Sequence, residues 1–111
     1  KSDEATRHCL AIARMSPENE DQEKLPLYRK PPQYPRSAAK QGRRGWVELI
    51  FDIDEAGFVV EPRVTAYGGS SEFKKEAIRA AKGYRYAPAF KNGSAVISKD
   101  VRIRIIFEMV K

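Results

Sequence analysis

His8 beside Cys9 is the place in this 111-residue sequence where an imidazole and a thiol adjoin, a pairing suited to binding a metal or activating a thiolate. The sequence holds one histidine and one cysteine, too few to complete a ligand set, so Cys9 is read as a small apolar residue and neither a metal nor a cofactor is expected. Asp52 and Asp54 could share acid and base work, but Asp54 falls in a turn and no nucleophile or pocket signature accompanies the pair. The reading is therefore not an enzyme. Gly42-Arg43-Arg44-Gly45 could cradle a phosphate in a nest of amides, although a plain turn ahead of a strand explains the same residues. A net charge of +6 would suit an anionic partner, yet the 21 basic residues are spread among 15 acidic ones. The densest basic group, Lys40, Arg43 and Arg44, has few aromatic neighbours on which bases could stack, so no nucleic-acid partner is expected. With side-chain chemistry thin, the main chain becomes the candidate for function, and the question passes to the elements that would present it.

The size allows one hydrophobic core, and no apolar run approaches the ~18 residues that cross a bilayer. The sequence starts at Lys1 without a methionine or a signal segment, so targeting information is expected upstream. Residues 3 to 15 place Ala5, Cys9, Ile12 and Ala13 near one helical face, with Ser2 and Asp3 as caps and Ser16-Pro17 as a stop. Residues 16 to 36 combine Glu18, Glu20, Asp21 and Glu23 with five prolines and read as an extended linker. Domain division follows: 1-30 a helix and an acidic, proline-rich linker, 31-111 the folded domain.

Ser37 to Gln41 is a short run of helix formers after Pro35, ended by Gly42. From Trp46 the period becomes two, with Val47, Leu49, Phe51 and Ile53 on one face and Trp46, Glu48, Ile50 and Asp52 on the other. Asp54-Glu55-Ala56-Gly57 closes a hairpin, its glycine free to take a positive φ. On the return, Val60, Pro62, Val64 and Ala66 alternate, and Pro62 assigns this strand to an edge because it has no amide hydrogen to give a neighbour. Ser70 or Ser71 caps a helix whose Phe73, Ala77, Ala80, Ala81 and Tyr84 form one apolar stripe. Tyr84 and Tyr86 are expected to diverge, one into the core and one to the surface. Asn92-Gly93 makes a turn, and from Lys99 alternation resumes with Val101, Ile103, Ile105, Phe107 and Met109 inward and Arg102, Arg104, Ile106 and Glu108 outward. The fold class is α+β: a three-stranded antiparallel sheet, one long helix on a face and a short helix before the first strand, in the order α-β-β-α-β.

Pro32-Gln33-Tyr34-Pro35, then Gly45-x-Val47-x-Leu49-x-Phe51-x-Ile53, Gly57-x-Val59, the Phe73 helix, Tyr84-Arg85-Tyr86-x-Pro88 and Ile105-x-Phe107 together resemble the C-terminal domain of TonB-type energy transducers. The resemblance covers residues 31 to 110, and the order and spacing of the pieces carry it rather than any piece alone. It implies a periplasmic domain tethered to an inner-membrane helix that associates with ExbB and ExbD, all of that lying upstream. It also implies, as partners, TonB-dependent outer-membrane receptors for siderophores, cobalamin or similar nutrients, each offering an extended TonB box. Some members carry Gln-Pro-Arg several residues before Gln-Tyr-Pro. Here Glu23-Lys24-Leu25 stands there, so nothing of that motif is carried over.

The resemblance and the strand pattern together point to one site. A last strand with a free edge offers unpaired amides and carbonyls that an extended peptide can satisfy. Arg102, Ile103, Arg104, Ile105, Ile106, Phe107 and Glu108 are expected to form that edge, with outward Arg102, Arg104 and Ile106 biasing the choice of peptide. Gln33 and Tyr34 are counted with them, although Tyr34 is read mainly as fixing the chain onto the sheet, its ring packed and its hydroxyl wet. A long apolar edge also allows a strand-exchanged homodimer. The competing function is an envelope protein-protein scaffold of the same fold, not dedicated to transport.

Overall fold

A computed structural model of the chain describes residues 10–15 and 26–110. The strongest alternation becomes the centre of the fold. Strand β3 (Gly45–Ile53) turns Val47, Leu49, Phe51 and Ile53 into the core, none more than 2% exposed. The hairpin turn after it is built as its residue types require: the Asp54 carboxylate accepts the amides of Ala56 and Phe58, and Gly57 adopts φ +92°. Strand β4 (Val59–Gly68) then returns antiparallel to β3 and lies at an edge of the sheet, as Pro62 demands.

Helix α1 (Arg36–Lys40) starts behind Pro35 and buries Ala38, and α2 (Glu72–Lys82) crosses the sheet. The Phe73, Ala77, Ala80 and Ala81 stripe of α2 is buried, and its small alanines let the helix axis approach the β3 side chains closely. Phe73 stacks on Phe107 of strand β8 (Ser98–Val110) with ring centroids 4.4 Å apart and planes 19° from parallel. Gly45 permits this arrangement, because a Cβ there would fall 2.4 Å from the Gly68 carbonyl oxygen and 2.7 Å from the Phe73 ring. From β8, Val101, Ile103, Ile105 and Phe107 complete the core. Two small ladders flank it: β2 (Pro26–Tyr28) with β5 (Arg85–Tyr86), and β6 (Ala89–Lys91) with β7 (Ser94–Val96) around the Asn92-Gly93 turn.

The class is α+β with an antiparallel sheet, but the sheet has four strands where three were expected, in the order β1-β8-β3-β4. The added strand is β1 (Leu10–Met15), which overturns the expected helix over these residues. Physically, β3 satisfies only one edge of β8, and the opposite edge carries a row of main-chain donors and acceptors that residues 10–15 satisfy from Ile105 to Val110. Helix propensity over so short a stretch is worth tenths of a kcal/mol per residue and gives way to such pairing. The rest of that helix, His8, Cys9 and the acidic part of the linker lie outside the described residues.

Three smaller corrections have simple causes. Residues 26–28 of the supposed linker are strand β2, held by β5. Val60, expected to alternate in step with Pro62, Val64 and Ala66, is instead out of phase with them and Val59 packs on the core, because Glu61 at φ +52° forms a bulge that shifts the register. Tyr84 and Tyr86 are both buried, since residues two apart in extended chain share a face. Burial raises the Tyr84 phenol well above its usual range, with neighbouring Tyr86 adding to the effect. Among the described residues no helix is long and apolar enough to cross a membrane, and no group of three or more His, Cys, Asp or Glu residues could hold a metal.

Candidate partner-binding edge

The expected edge residues all lie on β8, and pairing divides them. On one side β3 runs beside β8 from Ser98 to Phe107, matching Trp46 with Ile106, Glu48 with Arg104 and Ile50 with Arg102. On the other side β1 is paired from Ile105 to Val110, its last match being Met15 with Ile105. Ile105, Ile106, Phe107 and Glu108 therefore have a neighbour on the outer side. Arg102, Ile103 and Arg104 have no strand beside that side among the described residues. A bulge at Asp100, φ +57°, marks where straight pairing ends, and its amide donates to the Asp52 carboxylate at 3.0 Å. The run from Val101 to Arg104 is thus an extended, open length of about 13 Å at ~3.3 Å per residue.

The side chains alternate as the period requires. Ile103, Ile105 and Phe107 are buried, Arg102 is exposed, and Arg104, Ile106 and Glu108 are half-buried on the face away from α2. Two of the outward residues are engaged. The Arg104 guanidinium pairs with the Glu48 carboxylate and lies over the Trp46 ring, 4.7 Å from its centroid. Glu108 pairs with Arg14 of β1. Arg102 borders a shallow depression shared with Glu48 and Thr65. Trp46 and Glu48 thus belong beside the candidate site. Their alternation from Trp46 had placed them on the outward face, but their match to Arg104 and Ile106 required the β3–β8 register, which local pattern does not supply.

Gln33 and Tyr34 are brought to β8 only in part. Gln33 is exposed with no described contact to the strand. The Tyr34 ring stands edge-on to Phe73 at 5.7 Å and to Phe107 at 5.6 Å, and its hydroxyl donates to the Arg43 carbonyl, so the hydroxyl expected to face water is tied to the main chain. Burial raises its pKa, outweighing the Arg44 guanidinium that would lower it. The Gly42–Gly45 segment is occupied as a turn: the Gly42 amide donates to Ala39 and the Arg43 amide to Ala38, leaving no nest at those amides. Arg43 instead reaches Glu72 at 3.1 Å. Asp52 and Asp54 spend carboxylate oxygens on main-chain amides, as structural residues do.

Residues 30–109 match the family described as Gram-negative bacterial TonB protein C-terminal. Among solved structures, the chain is similar to the TonB C-terminal domain of Pseudomonas aeruginosa, determined by solution NMR, at 29% identity and TM-score 0.69, covering 87% of this chain and 96% of that one. It is also similar to the TonB2 protein of Vibrio anguillarum, at 31% identity and TM-score 0.64, covering 86% of this chain and 88% of that one. No curated protein matches the sequence.

Proposed function

This chain belongs to the Gram-negative bacterial TonB C-terminal family, and from that premise we propose that it grips outer-membrane receptors by accepting their TonB box as an added strand on β8. Bound in this way, the domain passes work from an inner-membrane assembly, ExbB and ExbD with the transducer's own anchor, to receptors that import siderophores, cobalamin or similar scarce nutrients. It acts in the periplasm, and its role is binding and transmission rather than catalysis.

The observation that carries this reading is the outer edge of β8. Arg102 to Arg104 present main-chain groups with no strand beside them among the described residues, on a strand whose other side is locked to β3 and whose inner side chains are anchored in the core. Backbone pairing needs no particular partner sequence, so one edge serves several receptors. Each bond contributes a net ~1 kcal/mol, and several loaded together along a strand resist a pull better than one. The fixed Arg104, Glu48 and Trp46 group presents a charged and aromatic surface beside that edge, from which preference among peptides arises.

Consecutive amides on a strand point to opposite edges. Proline at Ile103 and, separately, at Arg104 therefore removes one amide facing β3 and one facing outward. The outward variant stays folded and binds a TonB-box peptide at least about fivefold more weakly, the equivalent of one lost bond. A folded variant with undiminished affinity in both cases contradicts the reading.

A further inference from the structure

The edge that this reading assigns to the partner is already in use along part of its length. Strand β1 lies antiparallel on β8 from Leu10 opposite Val110 to Met15 opposite Ile105. Its inward residues Ala11, Ala13 and Met15 stand opposite Met109, Phe107 and Ile105, and Ala13 and Met15 pack on the core. Its outward residues Ile12 and Arg14 stand opposite Glu108 and Ile106, with Arg14 paired to Glu108 across the diagonal. Yet β1 holds no fully buried residue, whereas β3 and β8 each supply four large apolar side chains at 3% exposure or less. Among the described residues it is the outermost strand, paired on one side only, and its loss leaves the packing among β3, β8 and α2 in place.

We infer that β1 is a resident stand-in for the partner strand. A partner on Ile105 to Glu108 takes the position of β1, and the side chains of β1 describe what the edge accepts. The fitting guest is an extended segment running antiparallel to β8, with a small apolar residue opposite Phe107, a larger one opposite Ile105, and a basic residue in reach of Glu108. Partner docking is then an exchange of strands that starts from the open Arg102–Arg104 stretch. Residues 16–25 join β1 to β2, a tether short enough to hold β1 at a millimolar effective concentration near the edge. A guest's apparent affinity is reduced by the fraction of chains in which β1 is detached.

This inference rests on the edge reading, and two probes separate their failures. The full 111-residue chain carrying Ile12→Pro/Ala13→Pro loses whichever of the two amides faces β8. Unchanged amide shifts in β3 and α2 verify that it is folded, and Arg14→Glu, which sets like charge against Glu108, provides a milder second variant. Both are titrated with a synthetic peptide of the chain's own residues 10–17 and with a TonB-box peptide. The expected result is that each peptide binds the variants at least about tenfold more tightly than the parent, as removal of a competitor at that effective concentration requires, with shifts at residues 105–110. Own-sequence peptide bound only by the variants, with the TonB-box peptide bound by neither chain, upholds strand exchange and defeats the receptor reading. TonB-box peptide bound equally by parent and variants, with no binding of the own-sequence peptide, overturns strand exchange and leaves the receptor reading standing. Folded variants that bind neither peptide overturn both.

Discussion

Tyr34 was grouped with the partner-binding residues, and its surroundings predict that it holds the fold instead. Its ring makes edge-on contacts with Phe73 and Phe107, at planes 86° and 83° to its own, and each such contact is worth ~0.5–1.5 kcal/mol beyond buried area. Its hydroxyl bond to the Arg43 carbonyl adds about 1 kcal/mol. Tyr34→Phe keeps both ring contacts and loses only the bond, so it should cost about 1 kcal/mol. Tyr34→Ala loses everything, but the residue is only half-buried, so the cost falls below the ~3–5 kcal/mol of a fully buried aromatic, at about 2–4 kcal/mol. Urea unfolding of the parent and both variants measures this, with the midpoint moving and the slope unchanged. In the folded Tyr34→Phe variant, peptide affinity stays within about twofold, because its loss is confined to the Arg43 carbonyl. A Tyr34→Ala protein within about 0.5 kcal/mol of the parent, the range of a plain surface change, together with weakened peptide binding, would refute the argument and make Tyr34 a contact residue.

Gly57→Ala should destabilise by at least about 2 kcal/mol in the same assay, because φ is +92° and a Cβ would sit 2.0 Å from the Tyr86 carbonyl oxygen; a cost below about 0.5 kcal/mol would contradict it. Glu48→Gln should cost less than about 1 kcal/mol, since both partners of its ion pair are more than a third exposed, while altering preference among peptides that differ beside Arg104. Raised pKa values at Tyr34 and Tyr84 stabilise the fold fully below the unfolded value near 10 and lose that contribution as pH climbs through the folded values. Stability should therefore be insensitive to these phenols at neutral pH and fall above pH ~10, with Tyr84→Phe reducing the alkaline slope; an unaltered slope would show that Tyr84 does not drive it.

The parts of the fold that local chemistry dictates were legible. The β3 alternation, the Asp54–Gly57 turn, the α2 stripe and the β8 alternation each follow from residue periods that only one backbone geometry satisfies. Pro62 also assigned β4 to an edge for a reason of covalent structure. What escaped reading depends on contacts distant in sequence. Leu10–Met15 is compatible with a helix and becomes a strand because the edge of β8 opposite to β3 has main-chain groups to pair along residues 105–110. The Arg14–Glu108 and Arg104–Glu48 pairs inherit that dependence, since neither can be named before the register is known. Glu61 reversed the phase of β4 through a positive φ that a glutamate does not advertise.

Membership in the TonB C-terminal family was legible because the pieces that carry the resemblance, from Gln33-Tyr34-Pro35 to Ile105-x-Phe107, follow in order within the matched residues 30–109. The candidate site was half legible. The strand that carries it was legible as a strand from its alternation, while the presence of β1 over Ile105–Glu108 was not, and that presence divides the proposed edge into an open stretch and an occupied one.

The most direct measurement is an isotope-edited NOE experiment on the labelled chain mixed with unlabelled TonB-box peptide. Close contacts between peptide α-protons and those of Arg102 to Glu108, in an antiparallel ladder, are the result predicted. Binding whose contacts fall on the α2 face or on the outer edge of β4, with the β8 signals unmoved, would contradict the account.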